Sequence, residues 1–228
     1  MSEYQEKRLN RSFSRRIGKT LSALQKDLLE SRLPTFLINK ESLDNIRKQD
    51  KEIYLEVGFG MGEHFVHQAK NKPDAIFIGI EVYLNGVANV LKLAQEDNIT
   101  NFLLWADDLD LILDIFPDNL LSGIYILFPD PWPKRSQNKK RILNKDRLEL
   151  LQRKLRSSGF LIFASDIDDY FEVAKNAIES NGNFIVTENQ ETVESGYTNY
   201  HDNYIPTKYH KKAEESGRTP RFLRSVLK

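Results

Sequence analysis

Short apolar segments alternate with helix-patterned segments over most of this 228-residue chain. The apolar segments are nearly continuous in hydrophobicity, which is typical of parallel strands buried on both faces. The predicted strands are Ile53–Val57, Ala75–Glu81, Asn101–Trp105, Gly123–Phe128, Phe160–Ala164, Phe184–Thr187 and Phe222–Leu227. The predicted helices are Gly62–Ala69, Asn85–Asp97, Leu109–Phe116, Asn144–Arg156 and Tyr170–Ser180. The pattern predicts an α/β fold with a seven-stranded, mostly parallel sheet and helices on both faces.

The first fifty residues differ from the rest, because they are polar and begin with a basic stretch. Six of the first twenty residues are basic and two are acidic. Leucines at positions 21, 24, 28 and 29 recur at helical spacing before Pro34. We predict a basic, helical or flexible extension over residues 1–50, followed by one domain over residues 51–228.

Composition narrows the class of protein. The chain has no cysteine, which excludes a disulfide framework and a thiolate metal site. Its one close histidine pair, His64 and His67, lacks a third ligand nearby, so we interpret the pair as structural and predict no metal. No apolar run approaches the roughly 20 residues that cross a bilayer, and Met1–Arg8 precedes no apolar core of a secretory signal. We therefore expect a cytoplasmic protein without a membrane partner, present as a monomer or homodimer.

Charge is balanced overall but unevenly distributed. The chain carries 33 basic and 33 acidic residues. Lys134–Arg147 contains seven basic residues against one aspartate, whereas Asp107–Asp130 is almost purely acidic. Lys208–Lys228 adds seven basic residues against two glutamates. Separated basic segments around an acidic centre favour a polyanionic partner, although an ordinary solvated surface gives the same pattern.

Acidic side chains stand at or just after the ends of five predicted strands. These are Glu56, Glu81, the Asp107–Asp108 pair, Asp130 and Asp166. In open α/β sheets, ligands bind outside the carboxyl ends of the strands. We therefore predict that these acids line one crevice.

A glycine loop follows the first predicted strand. Gly58, Gly60 and Gly62 give the spacing G-x-G-x-G, with Glu63 where a dinucleotide-binding motif has its third glycine. The acids Glu56 and Glu63 would repel a pyrophosphate, but they suit a ligand that carries an ammonium and a sulfonium. Glu81, at the end of the second strand, is placed to accept from two ribose hydroxyls.

Together, the loop, Glu81 and the Asp107–Asp108 pair resemble the class I S-adenosylmethionine-dependent methyltransferases, which have a Rossmann-like fold. The resemblance implies S-adenosyl-L-methionine as cofactor, with Glu56 and the glycine loop at its methionine part. It also implies that Glu81 holds the ribose and Asp108 contacts the adenine. Either aspartate can instead cap the helix predicted at Leu109.

A rigid turn follows the fourth predicted strand, in the sequence Phe128-Pro129-Asp130-Pro131-Trp132-Pro133-Lys134. Proline cannot continue a strand ladder, so the strand must stop at Pro129. Residues before proline favour extended backbone, which predicts that Asp130 and Trp132 are stiff and outward-pointing.

This turn and the basic N-K-K-R segment after it resemble the bacterial tRNA (guanine-N7)-methyltransferase family. Further motifs support the resemblance: L-E-V-G-F-G-M-G at 55–62, I-G-I-E at 78–81, A-S-D at 164–166 and T-K-Y at 207–209. The resemblance covers about residues 50–228. It implies methylation of guanine N7 at position 46, in the variable loop of tRNA.

The same resemblance assigns roles along the second half of the chain. Asp130 would be catalytic and would lie against the cofactor. The substrate contacts would be Lys134, Asp166, Thr207, Lys208, Tyr209 and His210. Independently of the resemblance, the charge of the basic stretch predicts RNA contacts that grip phosphates without reading sequence: Ser136, Gln137, Asn138, Lys139, Lys140 and Arg141, with Arg16 and Lys19 as helpers. This chain departs from the family in having His210 in place of an acid, and Gln137 in place of a histidine.

Two alternatives to this function stay open. Amino-methyltransferases use a D/N-P-P-[YFW] turn, and Asp130-Pro131-Trp132 differs from it by one proline. An inactive methyltransferase fold that only binds RNA would be expected to lose its crevice acids, and Glu56, Glu81, Asp108 and Asp130 are all present. Trp132 either stacks on an extruded base or packs the turn onto the sheet.

Overall fold

A computed structural model describes residues 16–18, 20–190 and 204–228 of the chain. Within these residues the strands are β1 (Ile53–Val57), β2 (Ile76–Ile80), β3 (Phe102–Trp105), β4 (Leu121–Leu127), β5 (Leu155–Ser165), β6 (Phe184–Gln190) and β7 (Arg221–Leu227). They form one seven-stranded sheet in the order β3-β2-β1-β4-β5-β7-β6. The sheet is mixed and mostly parallel, which confirms the predicted fold class.

Eight α-helices are described alongside the sheet. They are α1 (Ala23–Ser31), α2 (Leu33–Phe36), α3 (Lys40–Arg47), α4 (Glu63–Asn71), α5 (Leu84–Glu96), α6 (Lys145–Lys154), α7 (Asp168–Asn181) and α8 (Lys208–Glu215). Within the described residues, no helix is both long enough and apolar enough to cross a membrane.

The chain divides into two compact units, Met1–Pro117 and Asp118–Lys228. In the first unit, β1, β2 and β3 pair in parallel, so their carboxyl ends lie at one edge. The five residues of β1 and the five of β2 are all buried, as their continuous apolar sequences predict. The ends of these strands position the glycine loop, Glu81 and Asp108.

Helices α1, α2 and α3 belong to the first unit. Leu28, Phe36, Leu43 and Ile46 are their buried residues, and Phe36 stacks on Phe102 of β3 at 4.3 Å between ring centroids. The part of the predicted N-terminal extension that precedes residue 16 lies outside the described residues, as does Lys19.

In the second unit, β4 and β5 are parallel, and β7 runs antiparallel between β5 and β6. Strand β5 begins at Leu155, although the periodicity of residues 144–156 predicts a helix to Arg156. Leu155 pairs with Leu121, and the register then shifts before Gly123 pairs with Phe160. Tertiary pairing across this irregularity overrides the local helical pattern.

Two other elements differ from the sequence prediction. The segment predicted as a helix over Leu109–Phe116 forms two 3₁₀ turns, Leu109–Leu111 and Leu113–Ile115. Helix α8 was not predicted, because only His210 and Ala213 of its eight residues are buried and the apolar periodicity is correspondingly weak.

Candidate active site

The glycine loop after β1 adopts backbone conformations that glycine alone takes easily. Gly58, Gly60 and Gly62 have φ values of 73°, 59° and 79°, all in the left-handed region. Their backbone N–H groups donate to Ile80 O at 2.8 Å, to Glu81 Oε2 at 2.7 Å and to Phe59 O at 2.8 Å, respectively. These three amides are therefore used inside the protein, unlike the free amides that cradle a phosphate.

Gly58 differs from Gly62 in the space around it. A Cβ on Gly62 would lie 2.1 Å from Cγ2 of Val90, in the helix that follows β2, whereas a Cβ on Gly58 meets nothing within 4 Å. Gly58 is also exposed. The loop thus has one glycine packed against the protein and one that faces open space, where a ligand can approach the backbone.

Glu56 lies buried beneath the loop and is held by a histidine. His64 Nδ1 lies 2.8 Å from Glu56 Oε2, and the two residues are 1% and 4% exposed. An ionised carboxylate only accepts hydrogen bonds, so the imidazole donates from Nδ1. The sequence pattern did not identify this role of His64; the signal that could have found it is its position one residue into the helix that begins at Glu63.

Glu81 joins the end of β2 to the loop. Its Oε2 accepts from Gly60 N at 2.7 Å, and its Oε1 accepts from Tyr83 N at 2.9 Å. These two bonds fix the orientation of the Glu81 carboxylate at the end of β2.

The two aspartates after β3 have different partners. Asp108 is buried, and its Oδ1 accepts from Asp110 N at 2.9 Å, so it caps the first 3₁₀ turn, as the capping alternative predicts. Asp107 accepts from Arg16 Nη1 at 3.2 Å, and Leu84 N donates to Arg16 O at 2.8 Å. Arg16 is thus engaged beside the ends of β2 and β3, although its charge predicts a phosphate contact for it.

The proline turn after β4 is strained at two of its residues. Phe128 and Trp132 have φ values of 51° and 43°, in a region that costs non-glycine residues about 1–2 kcal/mol each. Trp132 therefore departs from the extended backbone predicted for a residue before proline. Asp130 lies between the two strained positions and is exposed, as predicted.

The basic segment after the turn folds back on it as a 3₁₀ helix, Arg135–Lys140. Gln137 N donates to Lys134 O at 2.7 Å, and Lys140 Nζ lies 4.7 Å from the centroid of the Trp132 ring. The segment therefore has an inner side against the turn and an outer side. Among the predicted contacts in residues 134–141, the exposed residues are Lys134, Ser136 and Lys139.

Arg141 is placed differently from the prediction that it grips RNA. Its side chain is 1% exposed, and its Nε donates to Pro131 O at 2.9 Å. Its Nη2 donates to Asp169, and its guanidinium carbon lies 4.7 Å from the Tyr170 ring centroid. In this structure Arg141 holds protein groups rather than facing solvent.

Asp166, at the end of β5, is half-buried and paired. Arg218 Nε donates to Asp166 Oδ2 at 2.6 Å, which ties the end of β5 to the segment after α8. The sequence pattern singled out Asp166 but not Arg218.

The predicted substrate contacts at Thr207–His210 divide between the surface and the interior. Lys208 and Tyr209 are exposed, whereas Thr207 caps α8 by accepting from His210 N at 3.2 Å. His210 is fully buried, with its Nδ1 2.8 Å from the Tyr204 hydroxyl oxygen and its ring against Phe128 and Phe222. The structure thus gives His210 a packing role in place of the predicted substrate contact.

The burial of His210 has a consequence for stability. Burial lowers the pKa of the imidazole below 6.5, and the nearby Glu214 carboxylate opposes part of the shift. Below about pH 6.5 the unfolded chain binds a proton more readily than the folded one, so stability falls as the pH falls. Replacing His210 with Gln should remove this contribution, which is at most about 1.4 kcal/mol per pH unit.

Urea unfolding at pH 7.5 and pH 5.5 measures the effect. The wild type should lose more free energy of unfolding between the two pH values than H210Q, and the half-buried His67 supplies a control variant, H67Q. An equal loss in wild type and H210Q would contradict the assignment.

The described residues contain no group of three or more His, Cys, Asp or Glu side chains arranged to hold a metal ion. The titratable side chains near the strand ends instead bind backbone amides, arginines and a histidine.

Comparison with known proteins places the chain in a family. Residues 50–222 match the family model described as "Putative methyltransferase". A tRNA (guanine-N(7)-)-methyltransferase of Wolbachia pipientis wMel is 39% identical over 186 residues, which are 82% of this chain and 80% of that protein. The chain belongs to the tRNA (guanine-N7)-methyltransferase family.

Membership of the tRNA (guanine-N7)-methyltransferase family confirms the resemblance drawn from the glycine loop and the proline turn. A "Bifunctional methyltransferase" of Rickettsia conorii is 60% identical over 222 residues, or 96% of this chain. The chain spans only 41% of the length of that relative.

The fold also occurs in solved methyltransferase structures. A mutant 16S rRNA (adenine(1408)-N(1))-methyltransferase from Catenulisporales acidiphilia, determined with its cosubstrate SAM, superposes with a TM-score of 0.61. The two chains are 13% identical, and the match covers 83% of this chain and 92% of the other. At this identity the similarity establishes the fold alone.

Proposed function

We propose that this chain transfers the methyl group of S-adenosyl-L-methionine to N7 of a guanine in tRNA, at position 46 of the variable loop. The observation that carries the proposal is the 39% identity with a tRNA (guanine-N(7)-)-methyltransferase over most of both chains. The glycine loop and the proline turn supply the chemistry this activity requires. We further propose that the reaction takes place in the cytoplasm.

The residues around the glycine loop suit this cofactor. The amides of Gly58, Gly60 and Gly62 donate within the protein, and Glu56 adds a negative charge beneath the loop. This arrangement favours an ammonium and a sulfonium over a pyrophosphate.

Two further acids complete the proposed cofactor contacts. We propose that the Glu81 carboxylate accepts from the ribose hydroxyls, and its bonds to Gly60 N and Tyr83 N fix its orientation. We propose that Asp108 contacts the adenine in addition to its capping role. When bound, the cofactor supplies an electrophilic methyl group on a positively charged sulfur.

Guanine N7 sets modest demands on the protein. N7 carries a free lone pair, so no general base is needed before it attacks a methyl group. The product ring is cationic, and a carboxylate near it stabilises the charge as it develops. We assign this role to Asp130, whose turn is anchored and whose side chain is exposed. The remaining task of the chain is to orient the base and exclude water.

The proposed RNA contacts follow from which side chains are exposed. Lys134, Lys208 and Tyr209 are exposed and Asp166 is half-buried, so these remain candidates for the guanosine and its neighbours. The exposed cations Arg135 and Lys139 on the outer side of the 3₁₀ segment suit backbone phosphates, which they would neutralise without reading sequence.

Removing these two cations should weaken tRNA binding and its dependence on salt. For the double variant R135Q/K139Q, we expect a shallower dependence on salt. The negative slope of log K for tRNA binding against log salt concentration should decrease in magnitude by about 1.4–1.8, since each phosphate contact contributes about 0.7–0.9. Filter binding of tRNA between about 50 and 200 mM salt measures the slope. The matched control is K26Q/K48Q, which removes two exposed lysines of the first unit, one in α1 and one directly after α3. An equal slope in the two double variants would remove the segment from the interface.

One experiment tests the proposed function directly. The protein is incubated with S-adenosylmethionine labelled in its methyl group and an unmodified tRNA transcript, and the labelled nucleoside is identified. We expect 7-methylguanosine, and we expect it to disappear when the guanine at position 46 is replaced. N6-methyladenosine as the product would favour the amino-methyltransferase alternative. Absence of cofactor binding in calorimetry would favour the RNA-binding alternative.

A further inference from the structure

We infer that Arg141 is a positioning residue, which holds the Asp130–Trp132 turn in its reactive conformation by binding the carbonyl of Pro131. The inference rests on the proposed function, because it assigns Arg141 an effect on methyl transfer. It also replaces the phosphate contact that the charge of the basic stretch predicts for this residue.

The turn has few means of fixing itself. Pro129, Pro131 and Pro133 have no N–H group, so they donate no backbone hydrogen bond. Pro131 is the residue after Asp130, and its carbonyl belongs to the peptide plane that joins Pro131 to Trp132. A group that binds this carbonyl therefore fixes the plane between the proposed catalytic acid and the strained Trp132, whose φ is 43°.

Arg141 binds that carbonyl from a rigid position. Its Nε donates to Pro131 O at 2.9 Å, its Nη2 donates to Asp169 of α7, and its guanidinium lies over the Tyr170 ring. The Tyr170 hydroxyl accepts from Leu143 N at 3.0 Å, which anchors the chain just after Arg141. These four contacts together connect the turn to helix α7.

The hydrogen bonds of Arg141 leave one of its guanidinium nitrogens unsatisfied. Its Nη1 is buried and has no hydrogen-bond partner among the described residues. A buried donor without a partner is destabilising. The arrangement therefore favours the geometry of the turn over full satisfaction of the guanidinium.

The rest of the segment supports the same function. The Asn138 side-chain amide, with its nitrogen oriented to donate, reaches Trp132 O at 3.3 Å and Lys134 O at 3.2 Å. Lys140 lies over the Trp132 ring at 4.7 Å. Asn138, Lys140 and Arg141 thus all contact the turn, and Arg141 is the most buried of the three.

The same unit contains a matched control. Lys154 is also a buried cation, and its Nζ donates to Asp118 at 2.6 Å. Asp118 and Asp169 are both exposed carboxylates, with side chains 55% and 70% exposed. Both pairs join a buried cation to an exposed carboxylate, but Asp118 precedes β4, whereas the proline turn follows that strand.

The test compares substitutions at the two pairs. Arg141→Lys keeps the charge but loses the forked geometry, and we expect kcat to fall by about 100-fold, as for a misplacement of about 1 Å. Asp169→Asn changes only an exposed side chain, so it should lower kcat less than Arg141→Lys does. Asp169→Glu keeps the negative charge, so its kcat should lie between that of Asp169→Asn and that of the wild type. Asp118→Asn should leave kcat unchanged. The KM for tRNA and the salt slope of binding should stay at wild-type values in all four variants.

A spectroscopic measurement reports on the turn without relying on activity. The chain has two tryptophans, and in a Trp105→Phe background Trp132 is the only one. Arg141→Lys and Asp169→Asn should change the emission and the acrylamide quenching of Trp132, whereas Asp118→Asn should not. If Arg141→Lys is too unstable to assay, Asp169→Asn alone tests the position of Trp132.

The outcomes separate this inference from the proposed function. If wild type forms no 7-methylguanosine, the proposed function fails, while the fluorescence of Trp132 still tests the positioning of the turn. If wild type is active and Asp169→Asn matches Asp118→Asn in both kcat and fluorescence, the positioning role is overturned. A raised KM and a reduced salt slope with unchanged kcat in Arg141→Lys would overturn it in favour of a phosphate contact.

Discussion

Replacing Asp130 with Asn should lower kcat for methyl transfer to tRNA by about 100- to 1,000-fold, the effect typical of losing one group that stabilises transition-state charge. Asn keeps the size of the side chain and much of its hydrogen bonding, so the variant tests the negative charge. Asp130 is exposed, so removing its charge should leave the fold intact. Single-turnover rates with saturating tRNA and cofactor measure the effect on chemistry apart from binding.

Asp146 supplies the control for this prediction. It is an exposed aspartate of the same unit, in the first turn of α6, and Asp146→Asn should leave the rate unchanged. Thermal unfolding of both variants should agree with wild type within a few degrees, since surface substitutions usually change stability by about 0.5 kcal/mol or less. A rate near that of wild type in Asp130→Asn would refute the assignment.

Replacing Gly58 with Ala should weaken binding of S-adenosylmethionine by about 10- to 100-fold. A Cβ at Gly58 meets no protein atom within 4 Å, so the methyl group points into the space that the proposed ligand occupies. Overpacking by one methyl group costs about 1–3 kcal/mol, which corresponds to this range of affinity. Isothermal titration calorimetry with the cofactor measures the loss.

Gly182 separates the loss of affinity from the cost of the backbone conformation. It has a φ of 77°, close to the 73° of Gly58, and a Cβ there also meets nothing within 4 Å. Ala at either position should cost about 1–2 kcal/mol of stability, because both hold a left-handed conformation. Only Gly58→Ala should lose cofactor affinity. Equal affinity in the two variants would show that the ligand does not lie against Gly58.

The elements predicted from sequence succeed where burial is uniform along the strand. Strand β1 has the predicted bounds, because every residue from Ile53 to Val57 is buried and a continuous apolar run marks such a strand. Strand β5 begins five residues earlier than predicted, because Ser157 and Ser158 lie in an irregular pairing that local propensity does not register. The strand conformation of these residues depends on pairing with β4, which is distant in the sequence.

The candidate site shows the same division between composition and contact. The acids at the strand ends follow from the order of strands and loops, so Glu56, Glu81 and Asp130 could be singled out from the sequence. The groups that hold Glu56 and the turn around Asp130 could not be singled out, because His64 and Arg141 are distinguished from surface residues only by burial. A charged residue in a basic run predicts solvent exposure on average, and Arg141 is the exception that tertiary packing creates.

The position of β7 between β5 and β6 has a consequence for the order of folding. Strand β6 is synthesised before β7, but it joins the sheet only by pairing with β7. Until β7 has been synthesised, β6 has no strand to pair with. Its pairing closes a loop between Gln190 and Arg221, and non-local pairings of this kind slow folding. During that interval the exposed Ile185 is part of an unpaired strand, which is the kind of segment that aggregates. Recognition of the nascent chain by chaperones is therefore expected to centre on this strand.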